Sequence, residues 1–419
     1  MNFVIYLIAP ALLFFIFVIP KIKNKYLLEL IFAIPVLNAL ADVTTNYFSP
    51  NAFLTTGVIR TFIIILLIYL YAGNIVKNKI NMLILFFLAY LNLLLPFSSD
   101  PLVSFMEYIK VFISLLMFLV GYSLIKNPHS LSKLNKYVTY AVVVIIGQII
   151  IAQIFQIGLS EYVADSFYIG GGLVQITYSL VIFIIVSPII KKYSKGKRQL
   201  FVNILLISSV IVILIILRRI SIAAIIVGTI VYLVFSPQKL SNTKKIIAGI
   251  CILLLSFPIW QETFTERFDA RSKSFEELEQ ESRFVEITEV YIDLSNSNFL
   301  EILVGKEIFN SANYFLRNVS FGELGGIYRQ LHTDYMVLLH GTGVIGLLFY
   351  LYIHLRWFLK VFYHKTKNVY GLELRAIFVT LLVVSLLISF SGSISTIGYR
   401  SLLMLYLGAI YSLLVNRRY

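Results

Sequence analysis

The sequence predicts an all-α fold: a polytopic membrane helix bundle of about 12–13 transmembrane helices with one large extracytoplasmic loop. Three observations support this prediction. Of the 419 residues, 59% are hydrophobic and 13% are charged, whereas soluble domains average about 25% charged residues. The apolar residues form runs long enough to cross a bilayer, which takes roughly 20 residues of helix. Short basic loops alternate with loops almost free of lysine.

Thirteen apolar runs are predicted to span the membrane, near residues 2–20, 27–45, 58–76, 80–97, 102–125, 137–158, 171–190, 199–217, 220–236, 245–260, 335–357, 374–391 and 399–415. They divide the chain into three regions. We expect an N-terminal transmembrane bundle of about ten spans at 1–260, a loop domain at 261–331 and a C-terminal bundle of about three spans at 332–419.

The basic residues predict the orientation of the chain. Lysine and arginine collect in alternate loops, such as 21–25, 77–79, 126–136 and 191–198. Loops rich in these residues stay on the cytoplasmic side of a membrane, so we expect the N-terminus outside and the C-terminus in the cytoplasm. The net charge of +14 is then explained by lipid headgroups and topology, and no nucleic-acid partner is expected.

The polar, acidic segment 261–331 breaks this alternation and is expected outside the membrane. It exceeds an ordinary connector in length, and long loops are usually functional or disordered. An amphipathic helix resting on the bundle is predicted within it, because four apolar residues recur at helical spacing: Phe284, Ile287, Tyr291 and Leu294.

His332 lies where this loop enters the eleventh predicted span. Thr333 or Asp334 is placed to cap the helix, whose outward N-terminus favours a nearby anion. A neutral imidazole accepts a proton, so His332 is a candidate general base. The alternative is a polar interfacial residue followed by a helix whose glycines allow close packing, namely Gly341, Gly343 and Gly346.

Three arginines are candidate anion-binding residues. Arg218 and Arg219 separate two apolar runs at the expected outer face, where arginines at membrane depth are costly and usually face a cavity or a partner. The alternative is snorkelling to outer headgroups, but binding is preferred, because two guanidiniums there could grip a phosphate in bidentate fashion. Arg283 lies on the predicted loop helix, where a neighbouring glutamate could equally pair with it.

The other charged candidates are weaker. Glu107 and Lys110 form an i, i+3 pair in the fifth predicted span and are interpreted as a neutralising structural pair. Arg60 and Arg400 lie at the outer edge, where headgroup contact explains them. Because the chain has no metal-binding signature and no phosphate-binding glycine-rich loop, neither a metal nor a cofactor is expected.

Three segments, taken in order, resemble the O-antigen polymerase and O-antigen ligase superfamily of bacterial GT-C-type membrane glycosyltransferases. Residues 217–223 resemble the family's short arginine-containing turn between two central spans. Residues 282–305 resemble its loop arginine helix and the following segment that ends in glycine. Residues 332–346 resemble its His-x-x-Tyr motif, which here includes Asp334 and Tyr335, followed by a Gly-x-x-Gly helix.

The resemblance implies a GT-C-like fold in the bacterial inner membrane and a glycan donor on polyprenyl pyrophosphate at the outer leaflet. Arg219 and Arg283 would hold the pyrophosphate, with Arg218 an open alternative to Arg219. His332 would deprotonate the acceptor hydroxyl, and no metal would be needed. The implied partners are the lipid-linked oligosaccharide, the lipid bilayer, and a flippase and a chain-length regulator of the same pathway.

Three functions are compatible with these features of the sequence. A polymerase would join lipid-linked repeat units of an O-antigen, capsule or exopolysaccharide, and this function is preferred. A ligase would move finished glycan to an acceptor using the same donor-binding residues. A lipid-linked oligosaccharide flippase belongs to another class, but transporters often consist of two similar halves, and the sequence shows no such repeat.

Overall fold

The structure, a computed structural model, describes residues 24–44, 56–76, 82–155, 176–216, 218–237, 258, 261, 265, 282–311, 331–364, 368–392 and 394–415. Throughout these ranges the regular structure is helical, without strands. In chain order the helices are α1 Asn24–Phe32, α2 Ile34–Thr44, α3 Thr56–Val76, α4 Met82–Leu94, α5 Pro101–Leu124, α6 Pro128–Ile154, α7 Ile176–Lys192, α8 Lys197–Ile216, α9 Arg219–Phe235, α10 Ser282–Ser295, α11 Phe299–Val304, α12 Asp334–Phe362, α13 Val369–Ile388 and α14 Ile397–Val415. The all-α prediction is confirmed.

Seven of the described helices are long and apolar enough to cross a membrane: α3, α5, α6, α8, α12, α13 and α14. The pair α1 and α2 would add an eighth span, bent by 49° at its break. Helices α4, α7 and α9 are shorter apolar helices that coincide with predicted spans. The predicted spans at 2–20 and 245–260 lie outside the described residues. The chain is therefore a multi-pass membrane helix bundle, and the described residues account for seven or eight full-length spans.

Helix α14 lies at the centre of the bundle, since every residue from Ile397 to Leu414 is buried. Its most extensive contact is with α5. There Gly121 and Gly408 let the two backbones meet, because a Cβ atom at Gly408 would overlap the carbonyl oxygen of Phe118. The Phe118 ring also stacks on Trp357 of α12, with centroids 4.1 Å apart. Helices α5, α12 and α14 thus form a tightly packed core.

Helix α12 is kinked where segment 299–311 meets it. Gly343 has a φ of 64° inside the helix, a left-handed conformation that favours glycine. A Cβ atom there would overlap the carbonyl oxygen of Leu303 in α11. The backbone N–H of Lys306 donates to the carbonyl oxygen of His340 at 2.8 Å, which uses a carbonyl near the kink. Segment 299–311 is therefore docked against α12, with backbone in contact with backbone.

A Gly343→Ala substitution is expected to destabilise the protein by roughly 2–5 kcal/mol, since it combines backbone strain with overpacking. The measurement is the apparent Tm of the purified variant in detergent micelles. The matched control is Gly73→Ala in α3, where an added Cβ meets no atom within 4 Å and helix propensity favours alanine. Equal Tm values for the two variants would contradict the described docking.

The two ends of the bundle differ in charge. Helices α5, α7, α9, α12 and α14 begin at one end, and α10 and α11 pack on α12 there; we call it the loop end. The opposite end, the basic end, carries a collection of lysines and arginines: Lys126, Lys133, Lys136, Lys191, Lys192, Lys195, Lys197, Arg198, Arg356, Lys360 and Arg375. This asymmetry agrees with the alternation of basic loops along the sequence.

Candidate functional site

His332 lies at the loop end, two residues before the start of α12. Its side chain is 40% exposed and its Nδ1 lies 3.5 Å from Oε1 of Glu286 in α10, a carboxylate that is only 3% exposed. The other oxygen of Glu286 accepts the backbone N–H of His332 at 2.9 Å. The imidazole is therefore open to solvent on one side, while a buried carboxylate contacts both its ring and its backbone.

Asp334, the first residue of α12, is completely buried and forms an ion pair with Arg400 of α14. Its backbone N–H donates to the carbonyl oxygen of Ser389 at the end of α13, at 2.9 Å. The N-cap position belongs to Thr333, which makes no side-chain capping bond, so the predicted capping by Thr333 or Asp334 is wrong. Asp334 instead joins the ends of three helices next to His332.

Arg218 is brought to the same end of the bundle by the tight turn before α9. Its guanidinium lies over the ring of Tyr178 in α7, 4.2 Å from the centroid. The Tyr178 ring contacts that of Tyr399 in α14 at 4.7 Å, and the guanidinium of Arg400 lies 5.2 Å from the Tyr399 centroid. Two arginines far apart in sequence are thus joined through two tyrosine rings.

Contacts join five side chains at the loop end, namely Arg218, Tyr178, Tyr399, Arg400 and Asp334. His332, whose ring lies beside Glu286, is two residues before Asp334 in the chain, and we call these seven residues the cluster. Several helix N-termini meet at this end, and their dipoles favour anions. A half-exposed imidazole can take a proton, and guanidinium groups at the same end of the bundle can hold an anion.

The other predicted site residues are placed differently. Arg219 is the first residue of α9, directly after Arg218. Arg283 lies in the first turn of α10, one turn before Glu286, and its side chain is outside the described residues. The hydroxyl of Tyr335 donates to the carbonyl oxygen of Leu386 at 2.6 Å, which ties α12 to α13.

The remaining charged candidates pair with partners outside the cluster. Arg60 of α3 forms an ion pair with Asp42 at the end of α2, rather than the headgroup contact expected for it. Glu107 and Lys110 pair with each other on α5, as the i, i+3 spacing predicts. These three residues therefore have structural partners, and we place none of them in the cluster.

The buried face of α10 differs from the predicted one. Leu294 is buried as expected, but Ile287 is 38% and Tyr291 is 72% exposed. Among residues 286–295 of α10, the buried residues are Glu286, Val290 and Leu294, which follow one another at intervals of four; the side chain of Phe284 lies outside the described residues. Glu286 thus belongs to the cluster, whereas the sequence suggested for it only a pairing with Arg283. Its i, i+4, i+8 spacing with Val290 and Leu294 is the signal that could have identified it.

Among the described residues, no group of three or more His, Cys, Asp or Glu side chains is arranged to hold a metal ion. Searches with the full sequence found no matching protein-family model and no matching curated protein.

Proposed function

We propose that the protein is a polysaccharide polymerase that joins polyprenyl-pyrophosphate-linked repeat units at the outer leaflet by metal-independent glycosyl transfer. One observation carries the proposal. His332 and Arg218 are separated by more than a hundred residues, yet both lie at the loop end, where a chain of contacts runs from Arg218 to Asp334, two residues after His332. A base and an anion-binding cation at one membrane surface are the minimum that transfer from a lipid pyrophosphate requires.

In the proposed reaction, His332 takes the proton of the acceptor hydroxyl. The acceptor oxygen then forms a bond to the anomeric carbon of the donor from the face opposite the leaving group. The bond between that carbon and the phosphate oxygen breaks, and the pyrophosphate leaves with the electron pair. Direct displacement of this kind inverts the configuration at the anomeric carbon.

Arg218 and Arg219 are the proposed pyrophosphate ligands, with Arg283 on α10 as a third. The guanidinium carbon of Arg218 lies 4.2 Å from the centroid of the Tyr178 ring, and a cation–π contact of this kind is compatible with bidentate phosphate binding through guanidinium N–H groups. Arg400 has a different role. Its charge is balanced by the buried carboxylate of Asp334, so it holds the start of α12 in place rather than binding substrate.

The charge asymmetry of the bundle supports an extracytoplasmic site. Basic residues favour the cytoplasmic side, which would place the basic end in the cytoplasm of a bacterial inner membrane. The loop end, with the cluster, would then face outward with the N-terminus outside and the C-terminus inside. A lipid-linked donor presented at the outer leaflet would meet the cluster at the level of its pyrophosphate.

Cells that lack the protein are expected to accumulate single repeat units, because chain growth stops. Complementation with wild type should restore long glycan chains, whereas Arg218→Ala and Arg219→Ala should each fail to restore them despite normal membrane levels. Removing one such charged donor typically costs about 10²–10³-fold in rate. Arg198→Ala, an exposed arginine at the basic end, is the matched control and should restore long chains.

The measurement is the length distribution of glycan on the lipid carrier and on the cell surface. Long polymer accumulating on the carrier would contradict polymerase activity and indicate a ligase. Repeat units held at the cytoplasmic leaflet would indicate a flippase.

A further inference from the structure

We infer that Glu286 is the positioning residue of His332: its carboxylate holds the imidazole so that Nε2 takes the proton of the substrate. This inference rests on the proposed function, in which His332 is the general base. It adds to that function the residue that orients the base, and it assigns the extracytoplasmic helix α10 a direct part in the reaction.

Glu286 contacts His332 through both of its carboxylate oxygens. One carboxylate oxygen accepts the backbone N–H of His332 at 2.9 Å, and the other lies 3.5 Å from its Nδ1. A carboxylate that is only 3% exposed is costly to bury unless it is paired or hydrogen-bonded. Both carboxylate oxygens of Glu286 contact His332, so the Glu286 side chain can fix the orientation of the His332 ring.

Apolar packing fixes the helix that carries Glu286. Val290 and Leu294, one and two turns further along α10, form a small core with Leu331. Partly buried side chains of α12, including Met336 and Val337, pack against this core. Residues at i, i+4 and i+8 lie on one face of a helix, so the packing that buries Val290 and Leu294 also directs Glu286 toward His332.

Polar contacts fix the same helix at its far end. The Nζ atom of Lys306 lies 3.1 Å from Oδ1 of Asp293 in α10, and Nε2 of the buried His340 lies 3.3 Å from Oδ2 of the same carboxylate. Lys306 in turn donates its backbone N–H to the carbonyl oxygen of His340. Because α10 is held against α12 at two levels, Glu286 has little freedom to shift away from His332.

The chemistry follows from the hydrogen-bonding capacities of the two groups. An ionised carboxylate only accepts hydrogen bonds, so its position beside Nδ1 favours the tautomer with a proton on Nδ1. The lone pair then sits on Nε2, where it can accept the proton of the acceptor hydroxyl. The ring becomes a cation in that step, and the adjacent carboxylate stabilises the positive charge without taking the proton itself.

A Glu286→Gln substitution tests this role because it keeps the shape and an oxygen for the His332 backbone N–H but removes the charge. With purified protein and a lipid-pyrophosphate-linked repeat unit as substrate, kcat should fall at least about tenfold, and by less than the roughly 10²–10⁴-fold contribution of a general base. KM should stay close to the wild-type value. An unchanged kcat, or a change confined to KM, would overturn the inference.

Two comparisons separate positioning from a structural effect. Glu289→Gln, one turn from the substituted residue on the same helix and partly exposed, should leave kcat unchanged. In a His332→Ala background, Glu286→Gln should cause no further loss, because residues that act as a unit are non-additive. A further tenfold loss in that background would show that Glu286 acts elsewhere.

A spectroscopic measurement separates failure of this inference from failure of the proposed function. The chain has five histidines, so the ¹⁵N resonances of His332 can be assigned by their loss in His332→Gln. Wild type should show a protonated Nδ1 and an unprotonated Nε2, and Glu286→Gln should lose this preference. A wild type protonated on Nε2 would overturn the role of Glu286. Absence of glycosyl transfer by wild type would instead contradict the proposed function, whatever the tautomer.

Discussion

A His332→Ala variant is expected to join repeat units roughly 10²–10⁴ times more slowly than wild type, the usual contribution of a general base. The substitution removes the imidazole but keeps the backbone N–H that donates to Glu286. Because the ring is 40% exposed, its loss leaves no buried cavity, and the variant should fold normally. The measurement is the initial rate of glycan elongation by purified protein at saturating donor.

The control for this variant is His129→Ala, which removes an exposed histidine at the start of α6, at the basic end. Its rate should equal that of wild type. A His332→Ala protein that is well folded and elongates glycan at the wild-type rate would rule out His332 as the base, even if the protein proved to be a polymerase.

The second large effect is expected on stability. Arg400→Met should destabilise the protein by roughly 3–5 kcal/mol, the usual cost of removing one partner of a buried ion pair. Asp334 would be left as an uncompensated carboxylate at the centre of three helix ends, since it is fully buried and its described ion-pair partner is Arg400. The measurement is the apparent Tm and the free energy of unfolding in mixed micelles.

A double variant tests whether the charge is the cause. Adding Asp334→Asn to Arg400→Met removes the unpaired carboxylate and should recover much of the lost stability. Lys133→Met is the matched control, because the side chains of its ion pair with Glu29 are 43% and 36% exposed and solvent-accessible pairs contribute about 0–1 kcal/mol. An Arg400→Met protein as stable as this control would contradict the buried pair.

The positions of the helices could be predicted because a membrane span is recognised by a local property of the sequence, the length of its apolar run. The predicted span at 399–415 agrees with α14 within two residues. Bends were not predictable in this way. The break between α1 and α2, beside Pro35, and the kink at Gly343 both lie inside runs whose length alone predicts one continuous span. The kink depends on contact with α11, about forty residues earlier in the chain.

The candidate site was predictable only in part. His332 and Arg218 stand out locally, since each is a polar residue at the edge of an apolar run. Their partners are set by tertiary contacts, as in the pair of Asp334 and Arg400, 66 residues apart. No local pattern identifies such a pair.

Helix α10 shows why the predicted loop face was wrong. Rules for amphipathic helices assume that the apolar face turns away from solvent and toward the protein. Here Ile287 and Tyr291 are exposed, while Glu286 contacts His332 and Asp293 contacts His340 of α12. The rotation of α10 is therefore set by specific polar contacts as well as by the burial of Val290 and Leu294.

The most direct test of the proposed polymerase activity uses the purified protein in lipid vesicles supplied only with the polyprenyl-pyrophosphate-linked repeat unit. The products are separated by length. We predict a ladder of lipid-linked oligomers, each longer by one repeat unit, with release of polyprenyl pyrophosphate. If the repeat unit instead stays at its original length, or crosses the bilayer without being joined, the protein is not a polymerase.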